Sequence, residues 1–282
     1  MKTAPLVSIG LPVRNGAEGI TRALESLTAQ TWPNLEIVVS DNASSDDTVA
    51  LVEQVAARDP RVRLIRQARD IGMMANFHEV AAQSRGEFFL WAAHDDTRDA
   101  NYVAVLMQAM ATQPETVVVV HADTDEVFEG FTRRHAPDYV TIGLSAPARL
   151  RRIAQLQSFF LYGLWRRHAA AALPMRDMYW WPDLPPMLAA AALGEFAHAP
   201  GTSFRYTHHP RPFLRNKRAA LTALPLLVLQ SARAVRQVAG LRLGLLAGWL
   251  AAARVAGQIG GFFAVRLGLR PGYVAESRQR AG

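Results

Sequence analysis

Leu35-Glu36-Ile37-Val38-Val39-Ser40-Asp41-Asn42 is a short apolar run, rich in β-branched residues, that stops on an acid and an amide. Runs of about four to eight such residues between turn signals read as buried strands. The same pattern recurs on either side. Residues 6–11 form a β-rich run that ends in Pro12-Val13-Arg14-Asn15, and residues 87–93 form another that ends in His94-Asp95-Asp96. Residues 62–65 and 116–121 read as further strands. Helical spacing fills the intervals over 17–31, 45–58, 72–84 and 99–112, with Ser44 or Ser45 as N-cap of the second helix. Strands alternating with helices place the chain in the α/β class, with a mostly parallel central sheet and flanking helices. In such sheets ligands gather beyond the carboxyl ends of the strands. The three polar clusters, far apart in sequence, are expected to meet there.

Further along, residues 123–145 read as irregular, 146–157 and 183–193 as helices, and 204–206 as a strand ending at His208-His209-Pro210. The 282 residues are half apolar, enough for a large core, and contain no cysteine. Thiolate metal sites and disulfides are thereby excluded, and a reducing compartment is the natural setting. The opening MKTAPLVSIGLPVRNG alternates and meets a charge at Arg14, so it is not read as a secretory signal.

Asp95 and Asp96 are adjacent carboxylates at the end of an apolar strand. Such a pair is costly to desolvate, and a divalent cation relieves the repulsion. The competing reading is a pair of acids capping the next helix, with Thr97 and Asp99 as alternative caps. Asp41 has the same ambiguity: an acceptor for a base or ribose, or part of a turn. The recurrence of acids at two strand ends favours a site for a metal and a diphosphate.

The three segments Val7-Ser8-Ile9-Gly10-Leu11-Pro12-Val13-Arg14-Asn15, Ile37-Val38-Val39-Ser40-Asp41-Asn42-Ala43-Ser44 and Trp91-Ala92-Ala93-His94-Asp95-Asp96 resemble, in order and spacing, the family-2 glycosyltransferases. Asp70-Ile71-Gly72 with Asn76, followed by Arg85-Gly86-Glu87, is similar to that family's stretch between its second and third motifs. The likeness is strong over residues 5–110, weaker over 150–210 and absent after about 215. It implies a nucleotide-sugar-binding fold of the A type. It places Pro12, Val13, Asn15, Asp41, Asn76 and Asp95 on the donor, with Asp41 at the base and Asp95 near ribose or metal. It makes Asp96 a ligand of Mn²⁺ or Mg²⁺. Where many members carry an Asp two residues before the last acid, this chain has His94.

The family inverts at the anomeric carbon, so a base must deprotonate the acceptor hydroxyl. Asp183, in Trp180-Trp181-Pro182-Asp183-Leu184, looks like that base; its competing reading is a helix N-cap. The family often has two acids here, against Pro182-Asp183 in this chain. Gly194-Glu195-Phe196 and Phe204-Arg205-Tyr206-Thr207-His208-His209 are similar to the family's Gly-bearing turn and closing strand. His208 or His209 could complete the metal shell or lie in a surface turn. Trp180 and Trp181 suit an acceptor pocket or plain core packing.

Charge divides the chain. Residues 1–210 hold 19 Lys/Arg against 23 acids; residues 211–282 hold 12 against one, Glu276. No apolar run in the tail reaches the roughly 20 uncharged residues of a spanning helix, and Arg254 sits in the middle of the best candidate, 243–265. On one continuous helix, Gln230, Arg233, Arg236, Gln237, Arg254, Gln258 and Arg266 share about a third of the circumference, with Arg242 opposite, a phase that a break at Gly240 or Gly244 would disturb. That predicts an amphipathic segment lying on an anionic membrane surface. A helical cap, a dimer interface and a membrane hairpin are the alternatives.

The expected organisation is a catalytic domain over 1–212, with a nucleotide-sugar half to 122 and an acceptor half beyond it, then a basic apolar tail over 213–282. The expected partners are a nucleotide-sugar donor, a glycan or lipid-linked acceptor and the cytoplasmic face of a membrane. Nucleic acid is not expected, because the tail lacks interleaved aromatics. A nucleotidyltransferase would want a Gly-rich phosphate loop where Pro12-Val13-Arg14-Asn15-Gly16 stands. An inactive scaffold would not be expected to keep all four acids.

Overall fold

The computed structural model describes residues 3–135, 139–156, 159–175, 184–208 and 217–266. Its first half is the predicted alternation. Strands β1 (Val7–Val13), β2 (Leu35–Asp41), β3 (Val62–Arg66) and β4 (Phe88–Trp91) are separated by helices α1 (Ile20–Thr28), α2 (Thr48–Ala56) and α3 (Met73–Ala82). They lie side by side as β3-β2-β1-β4, all parallel, with Val13 beside Asp41 and Gly10 beside Trp91. β1 is buried along its whole length. That requires apolar side chains on both faces of a parallel strand, which is why Val7, Ile9 and Leu11 alternate with small or cyclic Ser8, Gly10 and Pro12 instead of charges.

The second half departs from the expectation of a mostly parallel sheet. It contributes β5 (Thr97–Arg98), α4 (Tyr102–Ala111), β6 (Val117–Phe128), β7 (Phe131–His135), α5 (Ala146–Ile153), β8 (Leu164–Arg166), α6 (Arg167–Ala172), α7 (Leu184–Leu193) and β9 (Glu195–Thr207). The sheet continues β4-β8-β6-β9-β5, with β7 beside β6. Here β8, β5 and β7 run antiparallel to their neighbours, while β6 and β9 are parallel. The sheet is therefore mixed. One sheet serves both halves, and residue 122 lies inside β6. The strand expected over 116–121 continues to Phe128 and turns back as β7, so that 123–135 is a hairpin where irregular chain was expected, and β9 is much longer than the predicted 204–206.

Trp91 and Trp165 fasten the halves. Both are fully buried, meet edge to face with centroids 5.8 Å apart, and satisfy their indole N–H groups on Phe77 and Leu161 carbonyls. Aromatic pairs of this geometry add about 0.5–1.5 kcal/mol beyond the area they bury.

The tail forms α8 (Lys217–Ala239) and α9 (Leu241–Arg266), which pack on each other and on α5 and α7. Gly240 lies between them with φ +86°, in the left-handed region that lets a helix end and the chain turn. The break falls at Gly240, one of the two glycines able to interrupt the phase of a continuous helix. The single basic stripe is divided, and Arg254 turns inward to donate to the Ala154 carbonyl at 3.2 Å. Among the described residues no helix is long and apolar enough to cross a membrane.

Candidate active site

The carboxyl ends of β1, β2 and β4 are drawn together by polar contacts between their loops. Asn15 receives the Ser45 N–H on its side-chain oxygen at 2.8 Å, and its own N–H donates to Ser44 Oγ at 2.9 Å. Asn15 and Ala43 are the non-glycine residues with left-handed backbone among those described, φ 51° and 55°. Such strain persists only where surroundings hold it, often at functional sites. On the other flank Gly19 lies so close to His94 that a Cβ there would stand 2.7 Å from its carbonyl oxygen and 3.1 Å from Asp95 Cα. Beneath the strand tips, Asn76 is 2% exposed and donates to the Ser40 carbonyl at 2.9 Å. Asn42 holds Asp70 at 2.7 Å and receives Ile71 N–H at 2.8 Å, and Arg14 pairs with Asp70. Asn15 and Asn76, expected on the donor, also fasten strand ends here, while Asn76 Oδ1 is buried with no hydrogen-bond partner; Pro12 and Val13 are buried within β1.

Two acids have capacity to spare. Asp41 is 2% exposed; its Oδ2 accepts the Ser44 N–H at 3.0 Å, whereas Oδ1 is buried with no hydrogen-bond partner. Asp96 is 1% exposed; its Oδ1 accepts the Thr207 N–H at 2.9 Å, and Oδ2 is likewise buried without a partner. Burial, then the neighbouring charge of Asp95, pushes the Asp96 carboxyl up to about 7, against the Thr207 N–H and the Arg98 and Arg22 charges. Asp95 is tied at its carbonyl by Thr207 Oγ1 and Arg22. The capping alternative falls away. Asn101 stands at the N-cap of α4, and the Asp99 carboxylate bonds Ser203 and Arg205 instead. Nor do Ser44 and Ser45 cap α2; the Thr48 N–H donates to Asp46.

An unpartnered, buried carboxylate oxygen costs free energy unless a donor or cation reaches it. Asp96 Oδ2, with Asp95 adjacent, therefore fits a hard divalent cation that takes one or two protein carboxylates and completes its shell with phosphate and water. Among the described residues no group of three His, Asp or Glu is arranged to hold a metal. Two carboxylates with a diphosphate match that limit. Asp41 Oδ1 fits an N–H or O–H donor.

The profile of glycosyl transferase family 2 matches residues 8–167, more than half of the chain. The chain belongs to glycosyl transferase family 2. Chondroitin synthase of Escherichia coli is 40% identical over 77 residues, 27% of this chain and 11% of that protein. An uncharacterized glycosyltransferase of Rickettsia typhi is 34% identical over 93 residues, 33% of this chain and 28% of that protein. The chain thus matches less than a third of either relative's length. Among solved structures, S. aureus TarS 1-349 in complex with UDP-GlcNAc superposes with a TM-score of 0.59 at 18% identity, covering 84% of this chain and 71% of that one. The mannosyltransferase PcManGT from Pyrobaculum calidifontis, in complex with GDP-Man and Mn²⁺, gives 0.58 at 17% identity, covering 99% and 80%. At these identities the superpositions establish a shared fold.

Of the other residues singled out in the sequence, Trp180, Trp181, Asp183 and His209 lie outside the described residues. His208 is described, and it does not join Asp95 and Asp96 as a third ligand. Its Nε2 lies 2.9 Å from Glu126 Oε2, and its ring stacks on Phe128 with centroids 4.0 Å apart. A carboxylate only accepts, so Nε2 carries the proton and is unavailable to a metal.

Glu126 belongs to a charged network across β6, β7 and the end of β9 that sequence reading missed. It is fully buried, accepts two bonds from Arg133 at 2.7 and 2.8 Å, and has His135 at 3.6 Å. Burial pushes its pKa up, but the His208 and Arg133 bonds outweigh that and hold it below the ordinary value. Beside it Asp125 is gripped by Arg134 at 2.7 Å and Ser203 at 2.8 Å. Glu126→Gln removes a buried charge from two donors, and a loss of about 1–3 kcal/mol in urea unfolding at neutral pH is expected. Because the folded pKa is depressed, this stabilisation is present above the ordinary Glu pKa and fades as pH falls through the folded value. An equal Glu126→Gln penalty in strong acid would contradict the assignment.

Proposed function

We propose that this chain is an inverting glycosyltransferase that moves a sugar from a nucleotide-sugar donor to a glycan or lipid-linked acceptor, with Mn²⁺ or Mg²⁺, in the synthesis of a surface polysaccharide or lipopolysaccharide. One observation carries it: two buried carboxylate oxygens without partners, on Asp41 and Asp96, stand at the carboxyl ends of β2 and β4, the strands that flank β1 in a family-2 sheet. Structures sharing the fold are solved with UDP, UDP-GlcNAc and GDP-Man, and one of them with Mn²⁺, which supports this reading.

In this mechanism Asp41 Oδ1 accepts a hydrogen bond from the nucleoside. Asp96, seconded by Asp95, would hold the cation, whose bound charge would stabilise the departing nucleoside diphosphate. The Thr207 N–H fixes one oxygen of Asp96 and so aims the other. Asp183 takes the proton of the acceptor hydroxyl as that oxygen attacks the anomeric carbon from the face opposite the leaving group. Asn15, Asn42 and Asn76 keep the loops in register, which holds donor and acceptor at reacting distance.

A thermal-shift panel of UDP-, GDP- and other nucleotide-sugars, with and without Mn²⁺, tests the reading. One nucleotide is expected to raise the midpoint by several degrees, and only with the cation present; binding at about 100 times Kd stabilises by about 2.7 kcal/mol. If no nucleotide-sugar shifts the midpoint under any cation, while the protein melts cooperatively, the proposal fails.

A further inference from the structure

The α8–α9 hairpin presents three directions. One side meets the protein: Leu227, Ala234 and Val235 on α8 and Ala247, Leu250 and Ala251 on α9 are buried. A second side joins the helices to each other. A Cβ on Gly244 would stand 2.7 Å from the Ala232 carbonyl, and one on Gly248 would stand 3.2 Å from Ala232 Cβ. At 100° per residue the third side points outward on both helices. It carries Leu229 and Trp249, both 66% exposed, Leu245 at 65% and Leu241 at 62%, with Leu226 at its edge. Arg233, Arg236 and Arg242 are exposed on the same side.

Five large apolar side chains on one outward face exceed the scattered exposure of an ordinary surface. The charge identifies what covers it. Residues 217–266 contain seven Lys/Arg and no acid. A second copy docked through the same face would bring arginine against arginine with no carboxylate between them. A lipid headgroup layer with anionic phosphates satisfies both features: it takes leucine and tryptophan into the acyl boundary and arginine at the phosphates. Neither helix is apolar enough to span, which suits helices lying flat.

We propose that the outward face of the α8–α9 hairpin lies on an anionic bilayer, with Leu229, Leu241, Leu245 and Trp249 inserted and Arg233, Arg236 and Arg242 at the headgroups. This docking is independent of the glycosyl-transfer reading, and it is tested without any sugar nucleotide.

The test is flotation of the full chain with vesicles of phosphatidylcholine alone or mixed with phosphatidylglycerol. Wild type is expected to float with the mixed vesicles and to be released by high salt. Changing Arg233, Arg236 and Arg242 to Gln should weaken partitioning about a hundredfold. The Leu245→Glu/Trp249→Glu double variant should stay in solution with an unchanged melting midpoint, since both side chains are mostly exposed. Wild type failing to float with anionic vesicles overturns the proposal, as does a double variant that floats equally well. So does light scattering that shows a wild-type dimer, a monomeric double variant and no vesicle binding by either, because a second copy is then the occupant.

Discussion

Asp183→Asn is expected to lower the rate of sugar transfer by about 10²–10⁴, the usual contribution of a positioned general base, and to leave donor affinity unchanged. Asp183 immediately precedes Leu184, the first residue of α7, a helix that is buried almost throughout and opens with Leu184-Pro185-Pro186. Proline in a first turn marks a helix start, where Asp is a favoured N-cap. A purely capping Asp183 is therefore the reading to defeat, and Asn discriminates. Asn caps a helix about as well as Asp, so a capping role predicts near wild-type transfer and stability. A base role predicts a protein that melts normally, binds nucleotide-sugar with Mn²⁺ normally and transfers almost nothing. Single-turnover kinetics alongside donor titration separates the cases. Joint loss of donor binding and transfer in a folded variant would move Asp183 out of the base role and into the donor site.

The first half of the fold was readable because its physics is local. Residues 35–41 and 88–91 are continuous apolar runs of strand length, and each ends on the residue that matters, Asp41 or the His94-Asp95-Asp96 group. The second half was not, because its strands look polar. Asp123, Asp125 and Glu126 gave the second half of β6 the composition of a loop, although 116–121 reads as a strand. These acids sit in a sheet because Arg133 and Arg134, across the hairpin on β7, and Ser203 and His208, on or next to β9 and remote in sequence, satisfy them. A signal did exist: acids at 123–126 and bases at 133–135 flank Glu129-Gly130, and Gly130 has φ +84°, the arrangement of a charge-matched hairpin. At the site, the types of residue were legible but the contacts that brace them were not. Asn15 and Asn76 are polar side chains at strand ends, and sequence alone does not distinguish one that meets a ligand from one that braces the loop beside it. The tail shows the same limit. Its basic stripe assumed an unbroken helix, and one left-handed glycine at position 240 rearranged which arginines face outward.

Asp96→Asn is expected to abolish donor and cation binding and, at the same time, to stabilise the protein above neutral pH. The carboxyl of Asp96 has a folded pKa raised to about 7, burial first and Asp95 second, against 3.8 ordinarily. A raised carboxyl pKa means that the fold prefers the proton. In acid below about pH 4, both folded and unfolded chains keep that proton and the residue costs nothing. As pH rises, the unfolded chain ionises first, so stability falls until the folded carboxyl has ionised as well. Above about pH 8 the penalty is complete, at up to roughly 4 kcal/mol. Asn carries no charge to bury and keeps an oxygen for the Thr207 N–H, so the variant should escape the penalty. Urea unfolding of both proteins across this pH range is expected to give curves that converge in acid and separate in base, with the variant above. Adding Mn²⁺ should lift only wild type in base, because the cation reaches the oxygen that the protein leaves unpartnered. If the variant gains nothing in base and Mn²⁺ leaves wild type unmoved, then Asp96 is ionised without cost through Arg98 and Arg22, and the second oxygen is not waiting for a metal.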